Sequence, residues 1–191
     1  TIHEIKRLTG RMVAINLEPA AVRNDGEKSV WSLTEGRRAT VENAKKAADM
    51  GVDMIVLTGN PGVGVDNRAI TKALADLNEA VGDRVILTAG KMHASGILSE
   101  AGEKILTKED AETFIEAGAD VLLLPAPGTV PGFTMEHAAE LIKTAHEKGV
   151  LAMTTIGTSQ EGADEETIRQ IALMCKMAGA DIHHIGDSGY M

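Results

Sequence analysis

The stretch I-E-A-G-A-D-V-L-L-L-P-A-P-G, residues 115–128, contains the pattern that decides the fold. A helical segment ends at Gly118, Asp120 follows, and the apolar run 121–124 leads into a loop rich in Pro and Gly. Glycine ends a helix by taking a left-handed conformation without a Cβ clash. A short run of Val and Leu with no polar alternation is typical of a parallel strand buried on both faces. The stretch therefore predicts a helix, a turn and a buried strand.

Copies of this pattern recur along the chain. The segments A-A-D-M-G-V-D-M-I-V-L-T-G-N-P-G (47–62) and K-M-A-G-A-D-I-H-H-I-G-D-S-G (176–189) align with it without gaps through their first half. Weaker copies lie at 81–91 and 147–159, and residues 9–18 resemble another. The glycines at positions 51, 82, 118, 149 and 179 follow one another at intervals of 31, 36, 31 and 30 residues. These intervals match the length of one β-strand and α-helix unit.

The repeat predicts an α/β fold with a parallel sheet. We expect a (β/α)₈ barrel, with an open doubly wound sheet as the alternative, and favour the barrel because no strand is followed by a dinucleotide-binding fingerprint. Side chains suited to N-caps precede each helical pattern. The predicted helices are 40–50, 67–81, 108–117, 134–148 and 164–178, with caps Thr40, Asp66, Thr107, Thr134 and Asp164; the predicted strands are 12–17, 54–58, 84–89, 121–124, 150–155 and 181–185.

Six predicted strands fall short of the eight in a complete barrel. The chain opens in a helical pattern, with Ile2, Ile5 and Leu8 at helical spacing, and stops just after a strand. We therefore expect residues 1–191 to be a single barrel domain that lacks N-terminal βα units and the last helix.

Composition excludes several classes of function. The net charge is −9, from 19 basic and 28 acidic residues, and aromatic residues make up 2% of the chain, so neither a basic face nor base-stacking rings predict nucleic-acid binding. The longest apolar run is far shorter than the roughly 20 residues of a membrane span. Cys175 is the one cysteine, which excludes an internal disulfide. We expect a buried structural thiol there and a cytoplasmic protein.

The loops that follow barrel strands carry function in this type of fold. After the third predicted strand come Lys91 and His93, which lie on the same side if the strand continues. A lysine at a strand end can form a Schiff base or bind a phosphate or carboxylate, and a histidine can transfer protons or bind metal. These two residues form the sharpest catalytic candidate in the sequence.

The first predicted strand supplies a third catalytic candidate. Alternation along the strand places Asn16 and Glu18 on one face. Glu18 is predicted to be a general base or metal ligand, with a solvated loop carboxylate as the alternative. In the long insertion that follows, the adjacent Arg37 and Arg38 are a candidate anion clamp, with an ordinary charged helix start as the alternative.

Glycine-rich loops after other strands are candidate anion sites, because their backbone N–H groups can bind phosphate. Thr58 and Asn60 belong to such a loop, for which a simple turn is the alternative. The loops after the last two strands match the usual phosphate position of barrels. Their candidate ligands are Gly157, Thr158, Ser159, Gly186, Asp187 and Ser188. If a divalent metal is the cofactor, which the sequence leaves open, His93, His184 and Asp187 are its candidate ligands.

Several short strings resemble a known family when taken together. N-L-E-P, E-G-R-R-A-T, V-L-T-G-N-P-G, A-G-K-M-H and H-H-I-G-D-S-G-Y are similar to an uncharacterised bacterial family of TIM barrels, and the resemblance covers essentially the whole chain. Members are sometimes labelled haloacid-dehalogenase-like hydrolases or likened to phosphoenolpyruvate-mutase barrels. This sequence has no Asp-x-Asp motif of the first group and no paired-Asp magnesium motif of the second. The resemblance implies the barrel and not the reaction.

The sequence therefore supports three hypotheses. The first is an enzyme of lyase, aldolase or isomerase type that acts on a small phosphorylated or carboxylated metabolite at the carboxyl ends of the strands. The second is a non-catalytic barrel that binds a metabolite or has a regulatory role. The third is a fragment that depends on oligomer formation, since open sheet edges favour pairing with another chain. We expect a homo-oligomer.

Overall fold

Strands and helices alternate along the chain as the repeat predicts. A computed structural model describes residues 1–20, 33–93, 102–157 and 163–186. In these ranges the helices are α1 (Ile2–Thr9), α2 (Val41–Asp49), α3 (Asn67–Val81), α4 (Lys108–Glu116), α5 (Met135–Glu147) and α6 (Glu165–Ala178). The strands are β1 (Ala14–Leu17), β2 (Met54–Leu57), β3 (Ile86–Gly90), β4 (Val121–Pro125), β5 (Leu151–Ile156) and β6 (Ile182–Ile185).

The strands are parallel and follow the chain order β1-β2-β3-β4-β5-β6 in the sheet. A doubly wound sheet has a point at which the strand order reverses. The described strands contain no such reversal, so the alternative of an open doubly wound sheet is wrong.

The chain divides into two compact units, one formed by residues 1–89 with 116–120 and the other by residues 90–115 with 121–191. In the first unit, Leu57 of β2 and three α3 residues, Ile70, Leu74 and Leu77, are completely buried. In the second, α6 buries Ile171 and Cys175 against Ala126 and Ile156. The predicted structural thiol is confirmed, since Cys175 is 1% exposed and burial raises the pKa of its thiol.

Side-chain caps begin the helices where the sequence predicts them. Thr40, Asp66, Thr134 and Asp164 each accept a backbone N–H three residues on. Thr107 accepts the N–H of Asp110, whose carboxylate in turn accepts the N–H of Thr107, a reciprocal cap that fixes the start of α4. The predicted left-handed glycines are found at four of the five repeats; Gly82, with φ −62°, is the exception.

Among the described residues, no helix combines the length and the apolar composition needed to cross a membrane.

Candidate active site

The carboxyl end of β1 places Glu18 in the interior. Its side chain is 5% exposed and forms an ion pair with the Arg37 guanidinium, which is 42% exposed. The backbone joins the same two segments, because the Glu18 N–H donates to the Arg37 carbonyl at 2.7 Å and the Glu18 carbonyl accepts the Ala39 N–H at 3.0 Å. The alternative of a solvated loop carboxylate is therefore wrong. Two predicted site residues, Glu18 and Arg37, are brought together.

Gly59 provides the space that this carboxylate occupies. A Cβ on Gly59 would lie 3.0 Å from Oε2 of Glu18 and 2.9 Å from Cγ2 of Val65. A side chain here would therefore press on the buried acid. Gly59 is not among the predicted site residues, although a glycine directly after a strand is a sequence signal that another group approaches closely.

The adjacent arginines have different partners. Arg38 Nε lies 3.2 Å from Glu35 Oε1, and its carbonyl accepts a hydrogen bond from the Asn43 side chain. The two guanidiniums thus bind two different carboxylates of the chain. Anion binding by Arg37 and Arg38 stays a prediction.

The loop after β2 uses much of its hydrogen-bonding capacity internally. The Asn60 Oδ1 accepts the Gly62 N–H at 2.7 Å, and the N–H groups of Val63 and Gly64 donate to the carbonyls of Asn60 and Pro61. These contacts form the 3₁₀ helix Pro61–Val63 and give Asn60 a capping role. Thr58, at the end of the strand, is 3% exposed.

Thr88 is a buried polar residue that sequence reasoning missed. It lies in β3, opposite Val56 of β2, which in turn lies opposite the exposed Asn16 of β1. Thr88 is completely buried, and its hydroxyl has no hydrogen-bond partner in the described part of the chain. An unsatisfied buried hydroxyl costs about 1–3 kcal/mol. Buried polar groups without a partner are rare in native proteins. The sequence signal for this position is a lone Thr in an apolar strand.

Lys91 follows β3 directly and is 3% exposed. The strand ends at Gly90. Its backbone φ is 156°, a value that residues with a side chain rarely adopt. A Cβ on Gly90 would overlap the Leu123 carbonyl oxygen of β4. Because the strand does not continue beyond Gly90, the prediction that alternation puts Lys91 and His93 on the same side is not supported. His93 is half-buried.

The two histidines of β6 lie on opposite faces, as strand alternation predicts. His183 Nδ1 lies 3.0 Å from the Thr154 hydroxyl. Thr154 is on the same face of β5 as Ile156, which packs against Ile171 and Cys175 of α6, so this face is the one toward α6. His184 lies in register with Thr155, on the opposite face. Its Nδ1 is buried and has no partner among the described residues.

The predicted phosphate loops are described only in part. The Gly186 N–H donates to the Ile156 carbonyl at 3.0 Å, so this group extends the β5–β6 pairing. Gly157 is buried, and a Cβ there would meet nothing within 4 Å. Four further candidates lie outside the described residues: Thr158, Ser159, Asp187 and Ser188.

No group of three His, Cys, Asp or Glu side chains suited to a metal occurs within the described ranges. Because Asp187 lies outside those ranges, the metal set of His93, His184 and Asp187 stays a prediction.

A family model for a domain of unknown function, DUF7916, matches residues 1–191. The chain belongs to the DUF7916 family. No curated protein sequence matches it.

Solved structures share the fold. A Schiff-base-forming fructose-1,6-bisphosphate aldolase aligns with a TM-score of 0.61 and 18% identity over 93% of this chain and 64% of its own. An archaeal fructose-1,6-bisphosphate aldolase, with its catalytic lysine covalently bound to the carbinolamine intermediate, aligns with a TM-score of 0.61 and 17% identity over 97% and 74%. A Burkholderia cenocepacia protein described as a lyase or mutase aligns with a TM-score of 0.58 and 17% identity over 98% and 59%.

These likenesses confirm the fold class, a parallel (β/α) barrel with six of the eight βα units. The chain spans 64% of the length of the first aldolase. At identities of 17–18% the comparison shows the fold alone.

Proposed function

We propose that this chain is the barrel portion of a lyase of aldolase type, which forms a Schiff base between Lys91 and the carbonyl group of a small phosphorylated or carboxylated metabolite. The observation that carries the proposal is the position of Lys91, buried at 3% exposure directly after the carboxyl end of β3. Barrel enzymes place their catalytic groups at this end of the strands. The Schiff-base aldolases among the structural neighbours support the same chemistry.

The reaction requires a neutral amine and a site from which water is excluded. Lys91 Nζ adds to the substrate carbonyl carbon, and the carbinolamine loses water to give a protonated imine. When a base removes the proton of the β-hydroxyl, the carbon–carbon bond breaks and its electron pair moves to the imine, which becomes an enamine as an aldehyde leaves. Protonation and hydrolysis of the enamine release the second product and restore the amine. Burial of Lys91 protects the imine from premature hydrolysis.

His93, two residues beyond Lys91, is our candidate for the proton transfers. The loops at 157–159 and 186–188 are our candidates for binding the phosphate or carboxylate.

The test traps the imine. The protein is incubated with dihydroxyacetone phosphate, pyruvate or a wider panel of phosphorylated ketoses and 2-oxo acids, reduced with borohydride, and digested with trypsin. Modification of Lys91 blocks cleavage at that residue, so a peptide spanning 85–104 should gain the mass of the reduced adduct. Lys91→Met should abolish the adduct, whereas Lys72→Met, which removes an exposed lysine paired with Asp76, should retain it.

Two results contradict the proposal. An adduct on any lysine other than Lys91 would reject the assigned nucleophile. Specific binding of a metabolite by both wild type and Lys91→Met, with no trapped adduct in either, would favour the non-catalytic binding barrel.

A further inference from the structure

The outer face of α6 carries an apolar stripe formed by Leu173 and Met177. Leu173 is 59% exposed and Met177 is 65% exposed. Residues four apart lie one above the other on a helix, so the two side chains form one stripe. The opposite face of α6 is already buried through Ile171, Cys175 and Ala178. The stripe is therefore additional to the face that α6 uses within the fold.

The internal repeat shows that this stripe is unusual. Leu173 and Met177 stand six and two residues before Gly179, the glycine that ends the helix. The corresponding positions before the glycines of three other repeats are charged. They are Lys45 and Asp49 in α2, Glu112 and Glu116 in α4, and Lys143 and Glu147 in α5.

A neighbouring helix of the fold does not cover these positions. Helix α6 packs against α5, yet the side chains of Lys143 and Glu147 remain 76% and 64% exposed. Likewise α3 packs against α2, and the Asp49 side chain remains 69% exposed. A further βα unit after β6 would therefore leave Leu173 and Met177 in water.

Helix α1 also exposes apolar residues, Ile5 at 51% and Leu8 at 72%, but its case differs. None of its residues is buried, so these side chains form its single apolar face. In contrast, α6 has a buried face and an apolar outer stripe as well. The α6 stripe is thus the better candidate for contact with another molecule.

We infer that α6 pairs with α6 of a second copy of this chain, antiparallel about a two-fold axis beside Leu173. A two-fold interface brings the same patch of both subunits together. The charges fit this arrangement, because Glu166 lies in the first turn of α6 and Lys176 lies in the last, while Glu165 is paired with Arg169 of the same helix. An antiparallel pair sets the acidic turn of each helix toward the basic turn of the other, and the two helix dipoles oppose one another favourably.

The first experiment measures the mass in solution by sedimentation equilibrium. Wild type should form a dimer, and the double substitution Leu173→Lys with Met177→Glu should weaken the dimer by about 100-fold or more, because it replaces the apolar contact with charges. The double substitution gives α6 the same charges that α5 carries at the corresponding positions, so the fold should tolerate it. Circular dichroism checks that the variant is folded. The matched control, Lys143→Glu with Glu147→Lys on α5, should leave the dimer unchanged.

The second experiment tests the two-fold axis. Under oxidation, Leu173→Cys should cross-link two copies through residue 173, whereas wild type should not, because Cys175 is buried. A monomeric wild type overturns the inference and leaves the stripe to a different protein. An oligomer that survives the double substitution also overturns it and places the interface elsewhere, for example at a sheet edge. Dissociation by the double substitution without cross-linking at 173 rejects the two-fold pairing.

Discussion

At the scale of single residues, Gly90 determines how the chain leaves β3 and where Lys91 lies. Replacing Gly90 by Ala should destabilise the protein by about 3 kcal/mol or more, since φ is 156° and the new Cβ would overlap the backbone of Leu123. Urea unfolding measures the loss. Gly157→Ala is the matched control, because its Cβ would meet nothing within 4 Å. Equal unfolding midpoints for the two variants would contradict the steric role of Gly90.

The same scale shows where prediction from sequence stops. Lys91 was found because it follows a recognisable strand, and strand ends are local features of the sequence. The ion pair of Glu18 with Arg37 joins positions 19 residues apart, a separation that no local sequence pattern bridges. The Thr88 hydroxyl has no hydrogen-bond partner within the described ranges, and this depends on which face of the sheet is covered. Such contacts are properties of tertiary packing, which a local pattern alone does not determine.

At the scale of elements, the Gly-x-Asp turns connect neighbouring strands. The carboxylates of Asp53, Asp120 and Asp181 each accept a backbone N–H at 2.8 Å, from Val13, Leu87 and Ala152 respectively. The backbone N–H of each Asp donates in return to the carbonyl of its partner residue, which is Val13, Leu87 or Ala152 respectively. The sequence predicts these turns only as the ends of helices. Their hydrogen bonds also fix the register of adjacent strands.

Removing one of these contacts should have a measurable cost. Asp120→Ala leaves the Leu87 N–H without its carboxylate partner, and Leu87 is completely buried, so we expect a loss of about 1–3 kcal/mol in the free energy of unfolding. Asp120→Asn keeps an acceptor oxygen and should lose clearly less. Chemical denaturation compares the two variants. A loss as large in Asn as in Ala would show that charge, and not the hydrogen bond, is what matters.

The same turns explain why the strand boundaries differ from the prediction. Apolar composition predicted that β1 begins at residue 12, whereas it begins at Ala14. Val13 is bonded through its N–H to the Asp53 carboxylate and through its carbonyl to the Asp53 N–H. The helix starts, in contrast, were predicted well, because a capping side chain lies within three residues of the N–H that it binds.

At the scale of the whole molecule, the fold was predictable because the same βα unit recurs. Each copy of the pattern indicates one buried strand, and a series of such strands with helices between them predicts a parallel sheet. The order β1 to β6 without reversal then distinguishes the barrel from the doubly wound sheet. The substrate follows from no such repetition, since barrels support many reactions by varying their loops.

The stability of the molecule should fall in acid because of three aspartates. The hydrogen bond from Lys6 lowers the pKa of Asp53, and the Thr167 N–H lowers the pKa of Asp164. At Asp181, partial burial acts in the opposite direction, but the hydrogen bonds from His146 and the Ala152 N–H outweigh it and lower the pKa.

The sign of the pH dependence follows because the pKa values of these three aspartates are lower in the folded protein than in the unfolded chain. The unfolded chain takes up protons near the ordinary aspartate pKa of 3.8, before the folded protein does. The contribution of these groups is therefore complete above that value and is lost as the pH falls through the folded pKa values. Urea midpoints should be lower at pH 3 than at pH 5, and Asp53→Asn with Asp181→Asn should flatten the difference. Asp76→Asn, at an exposed surface pair, should leave the difference unchanged; an equally steep curve in the double variant would contradict the assignment.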